Sequence, residues 1–494
     1  MKTALFRVDA SPEIGGGHLF RCAALAKTLA RNEWHCRFAV SRQTLNMIPA
    51  SLTQKFAFDI LDEPAAESST VAEPSVDVVI IDHYGIENAE ELALARSAKQ
   101  VLVIDDLPGR RHSCDWFVNS MPGAQADDFR DQVPEGCIIL PGGAYALLQP
   151  IFWRNRLRAF DVRQGKSNVR RILVNFGAVD THGMTARVLA GLRDSERELT
   201  VDIMLGLDGH LKPELTALAQ GSNLTLCFHD WVDDPSPLMV EADLAIGAAG
   251  ISALERCSLG LPSLLVVTAE NQRQNAERLG TLGAAMVLGA FSSVNAEQII
   301  SSVNAAEAIL GDMSTAAANV CDGLGAARVA VELERPEARD GRPIRICPML
   351  EEHVDQLYQW QQAPDVRQYF RNSSMPGYHE HVAWFIQKLN DPKSQLYLVL
   401  CGGVPAGVLR FDYVAGSDSF EVSIIVAPDF QGSGIGTIVL KMARALLPDF
   451  RLSAEIDPDN LPSVAAFLAA GFSRTGYRTY LRQACEPTGT TLVN

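Results

Sequence analysis

Apolar runs the length of a buried strand alternate with helix-spaced apolar positions across residues 1–330. Residues 3–8 make one such run, and Cys22, Leu25, Ala26 and Leu29 follow at the three- and four-residue steps of one helix face. Further strand-like runs occupy 37–40, 76–81 and 100–104, and a second set covers 171–174, 200–205, 224–228, 244–246 and 263–267. Such alternation predicts βαβ units on parallel sheets, hence an α/β protein with two Rossmann-like halves, 1–155 and 156–330. Residues 150–168, rich in arginine and carrying Phe152 and Trp153, are expected to join them. Residues 331–343 are charged and hold Pro336 and Pro343, the signature of a linker. From Ile344 the pattern restarts, predicting a separate α+β domain over 344–485.

A length of 494 residues suits about three units of ~150 residues. The net charge of −16 argues against nucleic acid as the main partner, while leaving room for a local phosphate pocket. No apolar run approaches the ~20 residues that cross a bilayer, and residues 1–9 meet charge too early for a signal peptide. No membrane association and a cytoplasmic location are therefore expected. Ten cysteines without a CxxC pair predict reduced thiols and no structural metal.

The most specific stretch is Pro428-Asp429-Phe430-Gln431-Gly432-Ser433-Gly434-Ile435-Gly436, between a strand-like run (420–426) and a helical one. Glycines there let backbone N–H groups turn onto a phosphate at a helix N-terminus. The spacing is neither that of the P-loop nor that of the dinucleotide fingerprint. It resembles the Gln/Arg-x-x-Gly-x-Gly/Ala pyrophosphate loop of the GNAT N-acetyltransferases. That resemblance implies acetyl-CoA as cosubstrate, held by Val426, Gln431, Gly432, Gly434 and Gly436 together with Asn460 and Ser463. Asp459 or Asn460 also suits a helix N-cap, which is compatible with that role. Many family members carry a Tyr four residues after the serine as general acid, where this chain has Phe467. Tyr477, Tyr480 or a water would then act, or the thiolate leaves unassisted. The resemblance points to Glu421 as base toward the acceptor amine.

In the first half, Asp9-Ala10-Ser11-Pro12-Glu13-Ile14-Gly15-Gly16-Gly17-His18 leads from a strand into a helix containing Arg21. Loops at strand C-termini face the ligand crevice of a parallel sheet, and a helix N-terminus disfavours imidazolium, so His18 suits a general base. Asp82-His83-Tyr84 ends another strand at the same edge. In the second half, Gly247-Ala248-Ala249-Gly250-Ile251-Ser252-Ala253-Leu254-Glu255 offers amides and a hydroxyl to a diphosphate, and Glu255 to ribose hydroxyls.

Together with Arg7-x-Asp9, the 142–148 run Gly-Gly-Ala-Tyr-Ala-Leu-Leu, Asn175-Phe176-Gly177-x-x-Asp180 and Asn271-Gln272, these motifs resemble the UDP-2,4-diacetamido-2,4,6-trideoxy-β-L-altropyranose hydrolases of pseudaminic acid biosynthesis, relatives of the GT-B glycosyltransferases. The resemblance implies a GT-B-like arrangement of the halves and metal-free release of UDP with inversion. His18 would activate water, Tyr84 and Asn271 would orient sugar or water, and Gly17, Arg21, Asp82, Gly177, Gly250, Ser252, Glu255 and Gln272 would bind the UDP-sugar. Here Ala178-Val179 follows Gly177 where relatives commonly carry a second Gly or a Ser. A GNAT enzyme acetylates the 4-amino group just before the hydrolase step in that pathway, so the fusion implies consecutive activities. The alternatives are sugar transfer to an acceptor, and a C-terminal module that binds acetyl-CoA without catalysis.

Overall fold

Parallel strands build the first sheet: β1 (Thr3–Val8), β2 (His35–Ser41), β3 (Ala57–Leu61), β4 (Val76–Asp82), β5 (Ala98–Ile104), β6 (Trp116–Asn119) and β7 (Ile138–Pro141). Their order is β3-β2-β1-β4-β5-β6-β7. The computed structural model describes residues 1–11, 15–61 and 76–485. Leu5, Val79, Ile81, Val101, Val103 and Phe117 fill one face. On the other, Phe38 stacks between Phe6 and Phe58 with ring centroids 4.9 Å away on each side. Burial on both faces explains why these strands read as near-continuous apolar runs.

The second sheet holds β8 (Arg171–Asn175), β9 (Leu199–Met204), β10 (Leu224–His229), β11 (Leu244–Ala248), β12 (Ser263–Val267) and β13 (Ala285–Ala290), ordered β10-β9-β8-β11-β12-β13. Each sheet reverses its strand order once, between β1 and β4 and between β8 and β11. Crevices for ligands open at such reversals, beyond the strand C-termini.

Arginines in the stretch expected to join the halves have a structural use. Residues Pro150–Arg163 form a helix. Arg156 donates to the carbonyls of Ala318 (2.8 Å), Cys321 (3.0 Å) and Ser258, while Arg163 donates to Leu259 (2.7 Å) and Met239. Guanidinium groups thus satisfy carbonyls where neighbouring helices end. The expected boundary at 155/156 falls inside this helix.

A third sheet belongs to the unit that begins at Ala327. It contains β14 (Ile344–Pro348), β15 (Ser394–Cys401), β16 (Val404–Val414), β17 (Ser419–Val426), β18 (Arg451–Glu455), β19 (Ser473–Arg474) and β20 (Thr479–Arg482), ordered β14-β15-β16-β17-β18-β20-β19. Only β17 and β18 run parallel, paired from Ser419↔Arg451 to Glu421↔Ser453. Past Glu421, β17 continues to Val426 without β18 beside it.

Residues 331–343, expected as an interdomain linker, include the end of a helix and a β-bridge between Glu337 and Pro343. Helix Gly325–Glu334 extends through 331–334, and buried Glu332 accepts from Arg345 Nε at 2.7 Å. Charge and proline marked a linker, but the partner carboxylate and guanidinium lie opposite one another.

The run 142–148 packs backbone to backbone against 320–325. A Cβ on Gly143 would stand 2.1 Å from the Val320 carbonyl oxygen, and one on Gly325 would stand 2.2 Å from that of Ala146. Gly143→Ala should therefore lower stability by about 1–3 kcal/mol in thermal unfolding, because neither backbone can yield.

Candidate active sites

His18 lies in the first turn of helix Gly17–Arg31, directly after the β1 loop. Three residues on, Arg21 occupies the same helix face. Both reach Asp82 at the end of β4: His18 Nδ1 to Oδ1 is 2.5 Å, and Arg21 donates from Nε to Oδ2 and from Nη2 to Oδ1, each at 2.6 Å. Arg21 Nη1 also bonds Asp106, just past β5. Asp82 is 0% exposed. Burial alone would push its carboxyl up, but the Arg21 guanidinium and His18 outweigh that and hold it well below the usual carboxylate range. With Nδ1 committed to Asp82, Nε2 is the ring atom left to take a proton.

Tyr84 meets the His18 ring edge-on, centroids 4.4 Å apart. Burial and the Asp106 charge push its phenol up to about 12, against the pull of the neighbouring Asn271 side chain. The loop carrying Tyr84 is anchored from behind. Asp9 accepts from Arg7 (2.9 Å) and pairs with His83 Nε2 (3.1 Å), and His83 Nδ1 accepts from the Gly85 amide (3.0 Å).

An open cleft of about 1180 Å³ is lined by residues from both strand reversals. Gly17, His18, Arg21 and Tyr84 line it from the first half, and Gly177, Gly250, Ser252, Glu255, Asn271 and Gln272 from the second. Asp82, expected at the sugar, does not line it. Its oxygens face His18 and Arg21. Ser252 opens helix Ile251–Ser258 beside Gly250. Burial pushes the Glu255 carboxyl up to about 7, against the pull of Arg256. The sequence missed Asp106 and Trp231, both of which line the cleft. Asp106 follows β5 with no motif of its own. Trp231, 39% exposed and tilted against Phe20 with centroids 6.0 Å apart, has only its exposure to mark it.

In the other unit, β17 ends at Val426 and the chain turns through Gln431 and Gly432 into helix Ile435–Leu446. Gly432 (φ 78°) and Gly434 (φ 85°) adopt the left-handed conformation that side chains resist. Asn460 caps helix Leu461–Ala469, its side chain accepting from the Ser463 amide at 3.2 Å. A Cβ on Gly436 would stand 3.9 Å from that of Ala466 and 3.7 Å from Cγ2 of Val426, so the start of the first helix lies against the middle of the second and beside the unpaired end of β17. Phe467 points into the core against Phe472, with centroids 4.9 Å apart. Tyr480 is buried and Tyr477 exposed. Glu421, the expected base, accepts from Arg371 Nη2 at 2.7 Å, and Arg371 Nε donates to Glu455 at 2.7 Å. That carboxylate is therefore already engaged by a cation absent from any motif.

Among the described residues no cluster of His, Cys, Asp and Glu suits a metal ion, and no helix is long and apolar enough to cross a membrane.

Asp82→Asn should destabilise the protein by about 3 kcal/mol at pH 7, because the buried Arg21 guanidinium loses one of its two carboxylate partners. A carboxyl with a lowered value stabilises fully above its ordinary value near 4 and loses that contribution as pH falls further. The gap between variant and parent in urea unfolding should accordingly shrink below about pH 4.

Residues 344–473 match the acetyltransferase (GNAT) domain, and residues 191–314 match the glycosyltransferase family 28 C-terminal domain. An uncharacterized protein of Methanocaldococcus jannaschii is 24% identical over 278 residues, covering 56% of this chain and 57% of its own. The UDP-2,4-diacetamido-2,4,6-trideoxy-beta-L-altropyranose hydrolase of Campylobacter jejuni is 30% identical over 163 residues, 32% of this chain and 57% of its own. The chain thus spans 57% of the length of each of these relatives. Among solved structures, MurG of Acinetobacter baumannii aligns over 68% of this chain and 100% of its own, with a TM-score of 0.53 at 17% identity, which is a likeness of fold. The chain therefore joins two Rossmann-like halves in the GT-B arrangement to a GNAT acetyltransferase domain.

Proposed function

We propose that the protein is a bifunctional nucleotide-sugar enzyme of nonulosonic acid biosynthesis. Its GNAT domain transfers acetyl from acetyl-CoA to the 4-amino group of a UDP-amino-dideoxy sugar, and its GT-B-like unit hydrolyses UDP from the resulting UDP-2,4-diacetamido-trideoxy sugar. The observation that carries the hydrolytic half is His18, braced by buried Asp82 and lining the cleft, with no partner on Nε2 among the described residues. The name of the Campylobacter jejuni relative supports the substrate class.

In this reading Nε2 of His18 takes a proton from water as the oxygen attacks the anomeric carbon. The bond between that carbon and the diphosphate oxygen breaks, the configuration inverts, and the proton later passes to solvent. Tyr84 and Asn271 orient sugar and water. Backbone amides at Gly250 and the Ser252 hydroxyl stabilise the diphosphate, and Glu255 accepts from the ribose. UDP is stable as an anion, so no general acid is required.

Acetyl transfer would use the unpaired edge beyond Glu421 for the pantetheine arm and the 431–436 loop for the diphosphate. The amine attacks the thioester carbonyl, the C–S bond breaks and coenzyme A leaves as thiolate. Glu421 can serve as base only after Arg371 yields it.

A second reading, sugar transfer to an acceptor by the GT-B-like unit, is favoured by the match to the glycosyltransferase family 28 domain. Incubation with UDP-4-amino sugars and acetyl-CoA, followed by mass spectrometry and NMR, decides between them. Free diacetamido sugar with UDP in buffer supports hydrolysis, whereas strict dependence on an acceptor supports transfer.

His18→Asn should slow UDP release about a thousandfold while UDP affinity stays within about threefold. Lost affinity would make the histidine structural. Gly434→Val should abolish coenzyme A binding in calorimetry, because β-branched side chains resist the conformation Gly434 adopts.

A further inference from the structure

Residues 337–343, just before the stretch that matches the GNAT domain, fold back on themselves. Glu337 and Pro343 form a β-bridge, and the Ala338 amide donates to the Arg342 carbonyl at 2.8 Å. This turn lies against the glycine loop. Arg342 stacks its guanidinium over Phe430, 5.2 Å from the ring centroid, and is neutralised by Asp340 at 2.7 Å. Arg339 takes a different course. Its Nη1 donates to the Gly432 carbonyl at 3.4 Å, and its side chain crosses Gly434 so closely that a Cβ there would stand 3.2 Å from Nε.

Among the described residues Arg339 has no carboxylate partner. It nevertheless lies beside the N-terminus of the 12-residue helix Ile435–Leu446, whose unpaired N–H groups carry partial positive charge. A guanidinium parked on that side is repelled by it, and an anion between the two turns the repulsion into attraction from both. Two phosphate groups joined by a bridging oxygen suit this arrangement, one taking amides of the glycine loop and the other the guanidinium fork.

We propose that Arg339 is a diphosphate ligand of the coenzyme A site, supplied by the turn 337–343 from outside the residues that match the GNAT domain. The inference rests on the acetyl-CoA reading above and extends that site upstream of residue 344. Gly434 then lacks a side chain for two reasons, its left-handed backbone and the arginine passing over it.

Calorimetry on the full chain tests this with coenzyme A, 3′-dephospho-coenzyme A and pantetheine. Arg339→Ala should weaken both diphosphate-bearing ligands by the same factor, about tenfold, and leave pantetheine unchanged. Arg339→Lys should recover part of the loss, since charge remains but the fork does not. Arg339 is exposed, so these variants should fold, and an unchanged melting temperature checks it. Coenzyme A affinity within twofold of the parent in Arg339→Ala overturns the proposal. Equal loss for pantetheine also overturns it, because the arginine would then only brace the loop. If the parent chain itself binds no coenzyme A, the acetyl-CoA reading falls and this inference falls with it.

Discussion

Asp82 is the buried charge around which the cleft is organised. A carboxylate with no exposure needs its charge balanced and its lone pairs filled, and Arg21 and His18 do both. Those two residues sit one turn apart on the helix that follows β1, while Asp82 ends β4, so the contact exists only because β4 is the neighbour of β1. Asp106, after β5, then closes the far side of Arg21. Sheet order thus becomes chemistry: the reversal that opens the crevice also brings together the groups that fix which imidazole nitrogen faces it. A buried ion pair of this kind adds little net stability over apolar packing, so its value lies in holding His18 in one orientation.

The GNAT unit exposes backbone instead. Pairing between β17 and β18 stops at Glu421, and the two left-handed glycines expose amides ahead of a helix. Side chains enter from outside this frame, Arg339 from the preceding turn and Arg371 across Glu421 and Glu455. The cleft of the first unit is framed by side-chain networks, and the glycine loop of the second exposes main chain.

Most strands of the two sheets of the first unit were legible as apolar runs, because strands buried on both faces carry unbroken signal, whereas in the third sheet only the run at 420–426 stood out. β3, β6, β7 and β13 were not. β6 has only four residues, and β13 is half-exposed and bends at Gly289 opposite a register shift in β12. Part of the motif set of the first unit gathers in one cleft, while Asp82, Arg7, Asp9, Asp180 and the 142–148 run do not line it, since spacing says which residues are near and burial says which way they face. Asp106, Trp231 and Arg371 escaped because tertiary contact alone brings them in. The arginines of 150–168 read as a connector, whereas Arg156 and Arg163 serve helix ends that no local pattern reveals.

The close contact of residues 142–148 with 320–325 has a mechanical consequence. The chain leaves the first half at Pro141 and runs into helix Pro150–Arg163, which is tied by its guanidiniums to the second half. The connection between helices at 320–325 lies against that same passage, with glycines where the two main chains touch. Both crossings therefore share one line on the molecule. Any widening of the cleft has to swing about that seam, so each part of its rim travels further the farther it lies from those two glycines.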